Sequence, residues 1–481
     1  MIKYKKVLMT RRDLLKLGGA SMGAALLAAC GGNAAPAPAP AEEVEDVAEE
    51  AAVEAPAESA PADELVEVVM MYQANEISDD DIAQFNGDYD GINLTRVDVD
   101  ATRFFAMIAS GEAPHLMRSQ APDIPQWVAR NIMLDLTPYF NSSDTLSLDD
   151  LVAANNYYKA ESPTAVGSGP IYGMAKDWAP DNFLWVNETV FENAGVDAPD
   201  LSTPVTSEEL ADIARSVTTK DGDVYATTGF NGHTGFIDRW WMMLAQNAGG
   251  SFFNDDFSQA NIKGNQAAED AIAFFHNMAA DGAMNSPINP SAAWFGPDFA
   301  EGRLAMVYTG YWFHGNALAD GNEDFQAAIA DGKVKMYPQF TYAGTRSNPC
   351  ITAAGAVCPA SAGNADQAWE VFEWFMGKEP SVARASSGWG LPALKSQLEL
   401  TPKDGPLSAQ AWETVQSELD YAEDTLAFNP FLAGGEPGPM GQVFMQNWEQ
   451  ALNGSLSFDD LVGMIETETN LAIEEGMANV A

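Results

Sequence analysis

The sequence predicts an α/β protein that folds into two lobes. Between residues 65 and 481, strand-like and helix-like segments alternate. Strand, helix, strand, helix at short spacing is typical of a parallel sheet with crossover helices. The same stretch is longer than one hydrophobic core usually organises. Together these observations predict two lobes of α/β structure.

The first elements follow residue 64 directly. Leu65–Tyr72 is a nearly continuous apolar run, as in a buried strand, whereas Ile92–Val99 alternates apolar and polar residues. Aspartates after Ser78 are typical of a helix start, and Gly111 ends an amphipathic helical pattern. The first five predicted elements are a strand, a helix, a strand, a helix and a strand, at Leu65–Tyr72, Ile77–Phe85, Ile92–Val99, Thr102–Ser110 and His115–Arg118.

Helical patterns dominate the middle and the end of the chain. Two further strands are predicted at Leu304–Tyr308 and Val334–Tyr337. From Leu407 onward the pattern is helical except for the Gly- and Pro-rich stretch Asn429–Gly441. The other predicted helices are Glu188–Asn193, Ser207–Val217, Phe236–Gln246, Gln266–Asp281, Phe299–Gly302, Ala365–Met376 and Ser381–Ser386.

Residues 1–30 have the features of an export signal. Six Lys and Arg residues precede or flank a short apolar run that is too short to span a bilayer stably. Thr10–Leu15 resembles a twin-arginine signal, with the general export route as the alternative. Leu27–Cys30 resembles a bacterial lipobox, which predicts a lipid on Cys30 and anchoring to the outer face of the cell membrane, in a periplasm or at the cell surface. Cleavage without lipidation is the alternative.

Residues 31–64 are a low-complexity stretch of Ala, Pro and Glu. Such a stretch has too little apolar surface to offset the entropy lost on ordering, so we expect a disordered tether. The whole chain carries a formal net charge of −45. Because a surface of this charge repels polyanions, nucleic acid and anionic lipid headgroups are poor partners.

Two cysteines remain after Cys30. Cys350 and Cys358 flank a short apolar segment. In an oxidising compartment they are either a disulfide that closes a small loop or two half-buried thiols.

Six stretches share motifs with one known family. They are IASGEAPHLMR (Ile108–Arg118), NIMLDLTPYF (Asn131–Phe140), Ile171–Pro199, TSEELADIARSVTTKDG (Thr206–Gly222), FAEGRLAMVYTGYWFHG (Phe299–Gly315) and Gly363–Ser396. In this order they resemble the extracellular solute-binding proteins of bacterial ABC importers, in the group that contains the maltose-binding protein. His115 and Ser207 depart from the family pattern, which usually has Asp and Trp there.

The resemblance implies a type II periplasmic-binding-protein-like fold, in which each lobe is a sheet with helices on both faces and a hinge joins the lobes. Lobe I would comprise residues 65–175 plus 340–395, and lobe II residues 176–339 plus 396–481. The implied function is extracytoplasmic binding of a carbohydrate and its delivery to an ABC import permease by hinge closure. The protein would act as a monomer, with no cofactor, no metal and no catalysis.

Other functions stay open. A binding protein for a polyol or a glycerol phosphate ester is the first alternative, although a phosphate needs clustered Arg residues or a helix N-terminus at the cleft. A surface glycosidase is another, with Asp177 and Asp181 as the two carboxylates, and an adhesive structural lipoprotein a third. After the predicted export signal, the sequence contains no H-E-x-x-H, G-x-S-x-G, Walker A or G-x-G-x-x-G motif. Asn86–Val97 resembles a calcium loop but lacks its last Glu.

A sugar pocket needs aromatic planes for the ring faces and paired polar groups for the hydroxyls. Trp312 is the first candidate, because the apolar strand Leu304–Tyr308 runs into Gly310 and three aromatic residues rather than into a polar turn. In the family, the position of Trp312 stacks on a sugar ring, and Tyr311 stands beside it. The alternative is that these aromatic residues begin a core helix.

Further candidates lie after the first crossing between lobes and at a helix start. Asp177, Trp178 and Asp181 occupy the segment where the family has an acidic ligand contact, but the segment is one or two residues longer here, which leaves open which carboxylate points inward. Arg239 and Trp240 open a helix in which adjacent Trp side chains point about 100° apart, so we expect Trp240 to face the cleft.

The remaining candidates stand at strand ends and in a loop. Arg118 and Gln120 end the third predicted strand and Glu76 follows the first, at the carboxyl edge where open sheets bind ligands. Trp389 lies between two glycines, where a large aromatic side chain has little local packing.

Overall fold

The computed structural model describes residues 65–222, 224–232, 234–291, 294–422 and 425–480. The predicted export signal, the lipidation of Cys30 and the tether at 31–64 lie outside the described residues and stay predictions. Within the described ranges, none of the helices combines the length and the apolar composition needed to cross a membrane.

The strands and helices are numbered in chain order. The strands are β1 (Val66–Met71), β2 (Ile92–Val97), β3 (Leu116–Ser119), β4 (Lys159–Ser162), β5 (Ala165–Ile171), β6 (Gly173–Ala175), β7 (Asp177–Trp178), β8 (Phe183–Asn187), β9 (Thr219–Asp221), β10 (Val224–Gly232), β11 (Leu304–Thr309), β12 (Val334–Tyr337), β13 (Gly355–Val357) and β14 (Leu391–Pro392). The helices are α1 (Asp79–Asp88), α2 (Ala101–Ser110), α3 (Asp123–Ala129), α4 (Thr137–Ser142), α5 (Glu188–Ala194), α6 (Ser207–Val217), α7 (Ile237–Asn247), α8 (Gln266–Ala280), α9 (Gly296–Ala300), α10 (Phe313–Ala319), α11 (Glu323–Ala330), α12 (Ala365–Gly377), α13 (Glu379–Ser387), α14 (Pro406–Glu418), α15 (Pro439–Leu452) and α16 (Phe458–Ala478).

The first sheet has the strand order β2-β1-β3-β13-β6. β1 is parallel to β2 and to β3, whereas β13 is antiparallel to both of its neighbours. The connections through α1 and α2 place the ends of β1 and β3 at one edge of this sheet. The predicted βαβαβ start of the chain is therefore confirmed.

The second sheet has the order β12-β8-β11-β10-β9. β10 and β11 are parallel, and the other neighbouring pairs are antiparallel. The sequence pattern does not predict β10, because its two glycines and three small residues weaken the apolar alternation. Helix α6 packs against β10, and α14 packs against β12.

Three segments run between the sheets. The first joins β6 to β8 and contains β7, the second joins β12 to β13, and the third follows β14, which pairs with β7. Asn348 of the second segment bonds to both backbone groups of Asn182 in the first, at 2.8 Å and 3.2 Å. The structure thus has the two-lobed α/β architecture that the sequence predicts, while the exact lobe boundaries stay a prediction.

Helix starts follow the residue chemistry of the sequence. Ser78 caps α1, and its hydroxyl and the carboxylate of Asp81 satisfy backbone groups reciprocally. Thr206 and Glu209 form the same arrangement at the start of α6. These caps fix where the two helices begin.

Candidate ligand-binding site

A cavity of about 430 Å³ lies between the two sheets. One wall comes from residues that follow β1 and β3, and the opposite wall comes from residues that flank β11 and α10. The cavity is lined by Gln73, Asn75, Glu76, Arg118, Gln120, Lys176, Asp177, Phe236, Trp294, Trp312, Asn316, Thr352, Ala354, Trp389 and Glu436.

The polar wall is built on the carboxyl edge of the first sheet. β1 delivers Glu76 and β3 delivers Arg118, since these strands are parallel neighbours that end at the same edge. Arg118 donates to both carboxylate oxygens of Glu76, from Nε at 2.6 Å and from a terminal nitrogen at 3.2 Å. A two-pronged bond of this kind fixes the orientation of both side chains.

Lys176 extends this pair into a chain of four charges. Its Nζ lies 3.1 Å from Glu76 Oε1 and also contacts the carboxylate of Asp177. Burial alone would raise the pKa of Glu76, but Lys176 and Arg118 overcome it and lower that pKa to about 2. For Asp177, burial outweighs Lys176 and raises its pKa above the ordinary range. The polar wall is therefore internally paired.

Trp312 reaches the cavity because a glycine precedes it. A Cβ at Gly310 would lie 2.6 Å from Cδ1 and 2.8 Å from Nε1 of Trp312, and it would also overlap Oδ1 of Asp181. No other residue leaves room for the indole at this turn. The structure therefore explains why the apolar strand β11 runs into a glycine and an aromatic residue.

An aromatic wall faces the polar one. The rings of Trp294 and Trp312 are nearly parallel, with centroids 6.3 Å apart and planes inclined by 28°. Trp294 is exposed, with 38% of its surface accessible, whereas Phe236 is buried beside the cavity. Trp389 completes this wall.

Glycines also hold Trp389 in place. Gly388 and Gly390 have φ values of +74° and +93°, which favour glycine. The N–H of Gly315 on α10 donates to the carbonyl oxygen of Gly388 at 3.1 Å, and a Cβ at Gly315 would lie 3.0 Å from the backbone nitrogen of Trp389. The loop thus packs directly on the helix that follows Trp312.

Two further polar groups line the cavity. Asn316 Nδ2 is buried and has no hydrogen-bond partner in the described part of the chain. Glu436, from the loop between α14 and α15, accepts a hydrogen bond from the side-chain amide of Gln120. Donor and acceptor groups therefore stand opposite the aromatic rings.

Six of the eleven predicted site residues line the cavity, and five do not. Glu76, Arg118, Gln120, Asp177, Trp312 and Trp389 line the cavity, and their contact with a ligand stays a prediction. Trp178, Asp181, Arg239, Trp240 and Tyr311 are not part of its lining.

The placement of Trp240 and Tyr311 at the cleft is wrong. Both side chains are fully buried. Trp240 packs with its ring centroid 4.6 Å from that of Tyr308, and Tyr311 stacks on His314 at 5.1 Å. Other elements pack against α7 on two sides, so the side chains of both adjacent Trp residues are buried in the core.

Arg239, Asp181 and Trp178 serve the framework instead. Arg239 is buried and donates to the carbonyl oxygens of Ile351 and Gly435, at 3.2 Å and 2.8 Å. Asp181 accepts from the backbone N–H and the hydroxyl of Thr352, at 2.9 Å and 2.7 Å, and burial raises its pKa to about 6. Trp178 is half-buried, and its indole N–H donates to the carbonyl oxygen of Pro392 at 3.0 Å.

The disulfide alternative for Cys350 and Cys358 is wrong. Both cysteines are free, and both are fully enclosed rather than half-buried. Burial raises the pKa of each thiol, so neither is activated as a thiolate. Among the described residues, no group of three or more His, Cys, Asp or Glu side chains is arranged to hold a metal ion.

Sequence reasoning misses several residues of the cavity. Lys176 is a single cation in a mixed segment, and Glu436 lies more than 300 positions after its partner Gln120. Trp294 could have been predicted, because it stands between Pro290 and Pro297 in a stretch without helical periodicity, where a large aromatic side chain has little local packing.

Comparisons with known proteins agree with this architecture. The model of the family described as bacterial extracellular solute-binding protein matches residues 73–381. Comparison with curated protein sequences gives no significant match.

Several solved structures resemble the chain. An ABC substrate-binding protein from Listeria monocytogenes, solved in complex with cycloalternan, is 18% identical with a TM-score of 0.67, covering 86% of this chain and 100% of that one. A binding protein from B. animalis subsp. lactis, in complex with β-1,6-galactobiose, is 18% identical with a TM-score of 0.66, covering 86% and 99%. The sugar-binding protein MalE from Xanthomonas citri is 16% identical with a TM-score of 0.61, covering 86% and 98%. At these identities the likeness establishes the fold.

Proposed function

This chain belongs to the bacterial extracellular solute-binding protein family, and we propose that it captures a carbohydrate and delivers it to an ABC import permease, without catalysis. The observation that carries the proposal is the wall of Trp294, Trp312 and Trp389 opposite a wall of paired polar groups. The likeness to binding proteins solved in complex with cycloalternan and with β-1,6-galactobiose supports it.

The two walls match the two kinds of surface on a sugar. The C–H faces of a pyranose pack on indole planes, while its hydroxyls donate and accept hydrogen bonds. Asn316 Nδ2 supplies a donor without a protein partner among the described residues, and the carboxylates of Asp177 and Glu436 supply acceptors. An unpaired buried polar group costs about 1–3 kcal/mol, and a ligand hydroxyl at Asn316 removes that cost.

The position of the cavity suits capture by closure. Its walls belong to different sheets, which three segments connect. Rotation of the sheets about those segments brings the indoles toward the polar wall and excludes water from the ligand. The permease then distinguishes the closed form from the open one, because closure changes the relative position of the lobe surfaces.

The cavity argues against two of the alternative functions, binding of a glycerol phosphate ester and glycoside hydrolysis. An anionic solute such as a glycerol phosphate ester needs free cations, but Arg118 and Lys176, the two cationic side chains in the described lining, are both ion-paired. A glycosidase that uses Asp177 and Asp181 needs both on the cavity wall, and Asp181 lies behind it, bonded to Thr352.

The cellular setting of this proposal follows from the first 64 residues. A lipid on Cys30 would anchor the protein to the outer face of the membrane, and the Ala, Pro and Glu tether would let a monomer reach its permease. Labelling with a fatty acid analogue in cells, with Cys30→Ser as the control, tests the anchor.

Thermal unfolding in the presence of single solutes tests the function. The panel contains mono- and oligosaccharides, polyols and glycerophosphates. A true ligand at a hundredfold above its Kd raises the free energy of unfolding by about 2.7 kcal/mol. A saturable rise in the unfolding temperature with a saccharide supports the proposal. A rise with a glycerophosphate alone contradicts it, and so does the absence of any rise across a broad panel of saccharides.

A further inference from the structure

The charges that line the cavity do not balance. Arg118 and Lys176 are both engaged by carboxylates of the same wall, Glu76 and Asp177. Glu436 has no Lys, Arg or His nitrogen within 4.0 Å among the described residues, although it interacts electrostatically with Arg118 at longer range, and its described side-chain hydrogen bond comes from the neutral amide of Gln120. The lining therefore carries one carboxylate more than it has cations.

The aromatic wall, like the excess carboxylate, favours a positively charged ligand. The faces of indole and phenyl rings carry negative potential, which attracts ammonium groups within about 6 Å of a ring centroid. Trp294, Trp312 and Trp389 line the cavity together with Glu436, whereas the ring of Phe236 already has the guanidinium of Arg239 over it, 5.0 Å from its centroid. The carboxylate on one wall and the ring faces on the other therefore both favour a cationic ligand over an anionic one.

We propose that the captured carbohydrate carries a protonated amine, as an amino sugar does, and that Glu436 accepts its hydrogen bond. This inference rests on the proposed function and narrows its ligand. Oε1 of Glu436 accepts from the side-chain amide of Gln120, which orients the carboxylate, and a carboxylate has further lone pairs that can accept from an ammonium group. Because Glu436 is exposed at the cavity, the amine is bound without full loss of its hydration.

Matched saccharides isolate the amine. We would titrate the protein by calorimetry with the β-1,4-linked disaccharide of glucosamine, its N-acetylated form and the glucose disaccharide of the same linkage. Galactosamine and mannosamine are compared with galactose and mannose in the same way. Each titration is run at a pH where the amine is protonated. One charge-assisted hydrogen bond predicts roughly tenfold tighter binding of an amino sugar than of its hydroxyl parent.

Two variants that each remove one negative charge test whether Glu436 causes the preference for the amine. Glu436→Gln removes the cavity carboxylate, while Glu449→Gln removes an exposed carboxylate on α15 that does not line the cavity. We expect Glu436→Gln to reduce the preference for the amine over the neutral parent roughly tenfold, because the amide oxygen still accepts from a hydroxyl but carries no charge. Glu449→Gln should keep the preference, because Glu449 does not line the cavity. Since both variants change the net charge of the protein equally, a difference between them reports on the position of the carboxylate.

Each outcome decides between the proposals. A preference for the amine that disappears in Glu436→Gln and persists in Glu449→Gln supports the inference. If a neutral saccharide binds saturably and its amino counterpart binds no more tightly, the inference is overturned and the proposed function stands. A preference that survives Glu436→Gln also overturns it. If no saccharide of either kind binds, the proposed function fails and the inference fails with it.

Discussion

Gly310→Ala is expected to weaken ligand binding by displacing one indole ring. The added Cβ would lie 2.6 Å from Cδ1 and 2.8 Å from Nε1 of Trp312, where carbon atoms in contact are about 3.5–4.0 Å apart. About 1 Å of displacement is therefore needed. Asp181, on the other side of the new methyl group, is held by two hydrogen bonds from Thr352 and yields less easily than the half-buried indole.

Two magnitudes follow from this geometry. Overpacking of this kind costs about 1–3 kcal/mol of stability. Loss of a well-placed aromatic contact costs about 0.5–1.5 kcal/mol of binding free energy, which is about two- to tenfold in Kd. Calorimetric titration with whichever saccharide stabilises the protein gives the Kd, and thermal unfolding without ligand gives the stability.

Gly321→Ala is the matched control. Gly321 is exposed, has no heavy atom within 4 Å of an added Cβ, and follows α10 in the chain. We expect its Kd and its unfolding temperature to stay at those of the unchanged protein. If Gly310→Ala lowers stability but leaves the Kd unchanged, Trp312 is not a ligand contact. If it changes neither, the glycine does not position the indole.

Three further predictions follow from the same contacts. Glu76→Gln should lower stability by about 3–5 kcal/mol, because it leaves Arg118 with an uncompensated charge, whereas Lys176 keeps its contact with Asp177. Urea unfolding measures the loss, and a loss below about 1 kcal/mol would contradict the pairing. Burial raises the pKa of Asp181 to about 6, so the folded state binds the proton of this carboxyl more tightly than the unfolded chain does. The stability that this group contributes therefore rises as the pH falls from about 6 to about 4, by up to about 3 kcal/mol. Unfolding at several pH values should show a smaller rise in Asp181→Asn than in the unchanged protein. Gly315→Ala should weaken saccharide binding, because its Cβ would lie 3.0 Å from the backbone nitrogen of Trp389; an unchanged Kd by titration would show that this contact does not place the ring.

Strand ends are where the sequence predicts the site well. Glu76 and Arg118 follow parallel strands whose pattern is local, so their meeting at one sheet edge follows from the topology alone. Trp312 is predictable for a similar reason, since a glycine and a bulky ring directly after an apolar strand are both local features. Such signals need no knowledge of distant segments.

Helix faces are where the sequence prediction fails. The argument that adjacent Trp side chains cannot enter one core is wrong, because Trp240 and Trp241 both belong to one continuous hydrophobic core that covers two faces of α7. Trp240 packs near Phe275 of α8, while Trp241 packs on Phe444 of α15, with ring centroids 4.9 Å apart. α15 lies about 200 positions further along the chain, so no local pattern reveals that it covers the second face.

Asp181 shows how a family resemblance can identify a functional segment and still misassign a side chain. The resemblance predicts an acidic ligand contact in the segment that contains Asp177 and Asp181, and only Asp177 lines the cavity. Asp181 instead links the first crossing segment to the second through Thr352, and it also lies against Gly310. One buried carboxylate thus connects two crossing segments and the turn that presents Trp312. In the closure proposed above, the lobes rotate about those segments, and this linkage would keep the indole in a fixed relation to them while the polar wall moves toward the ring.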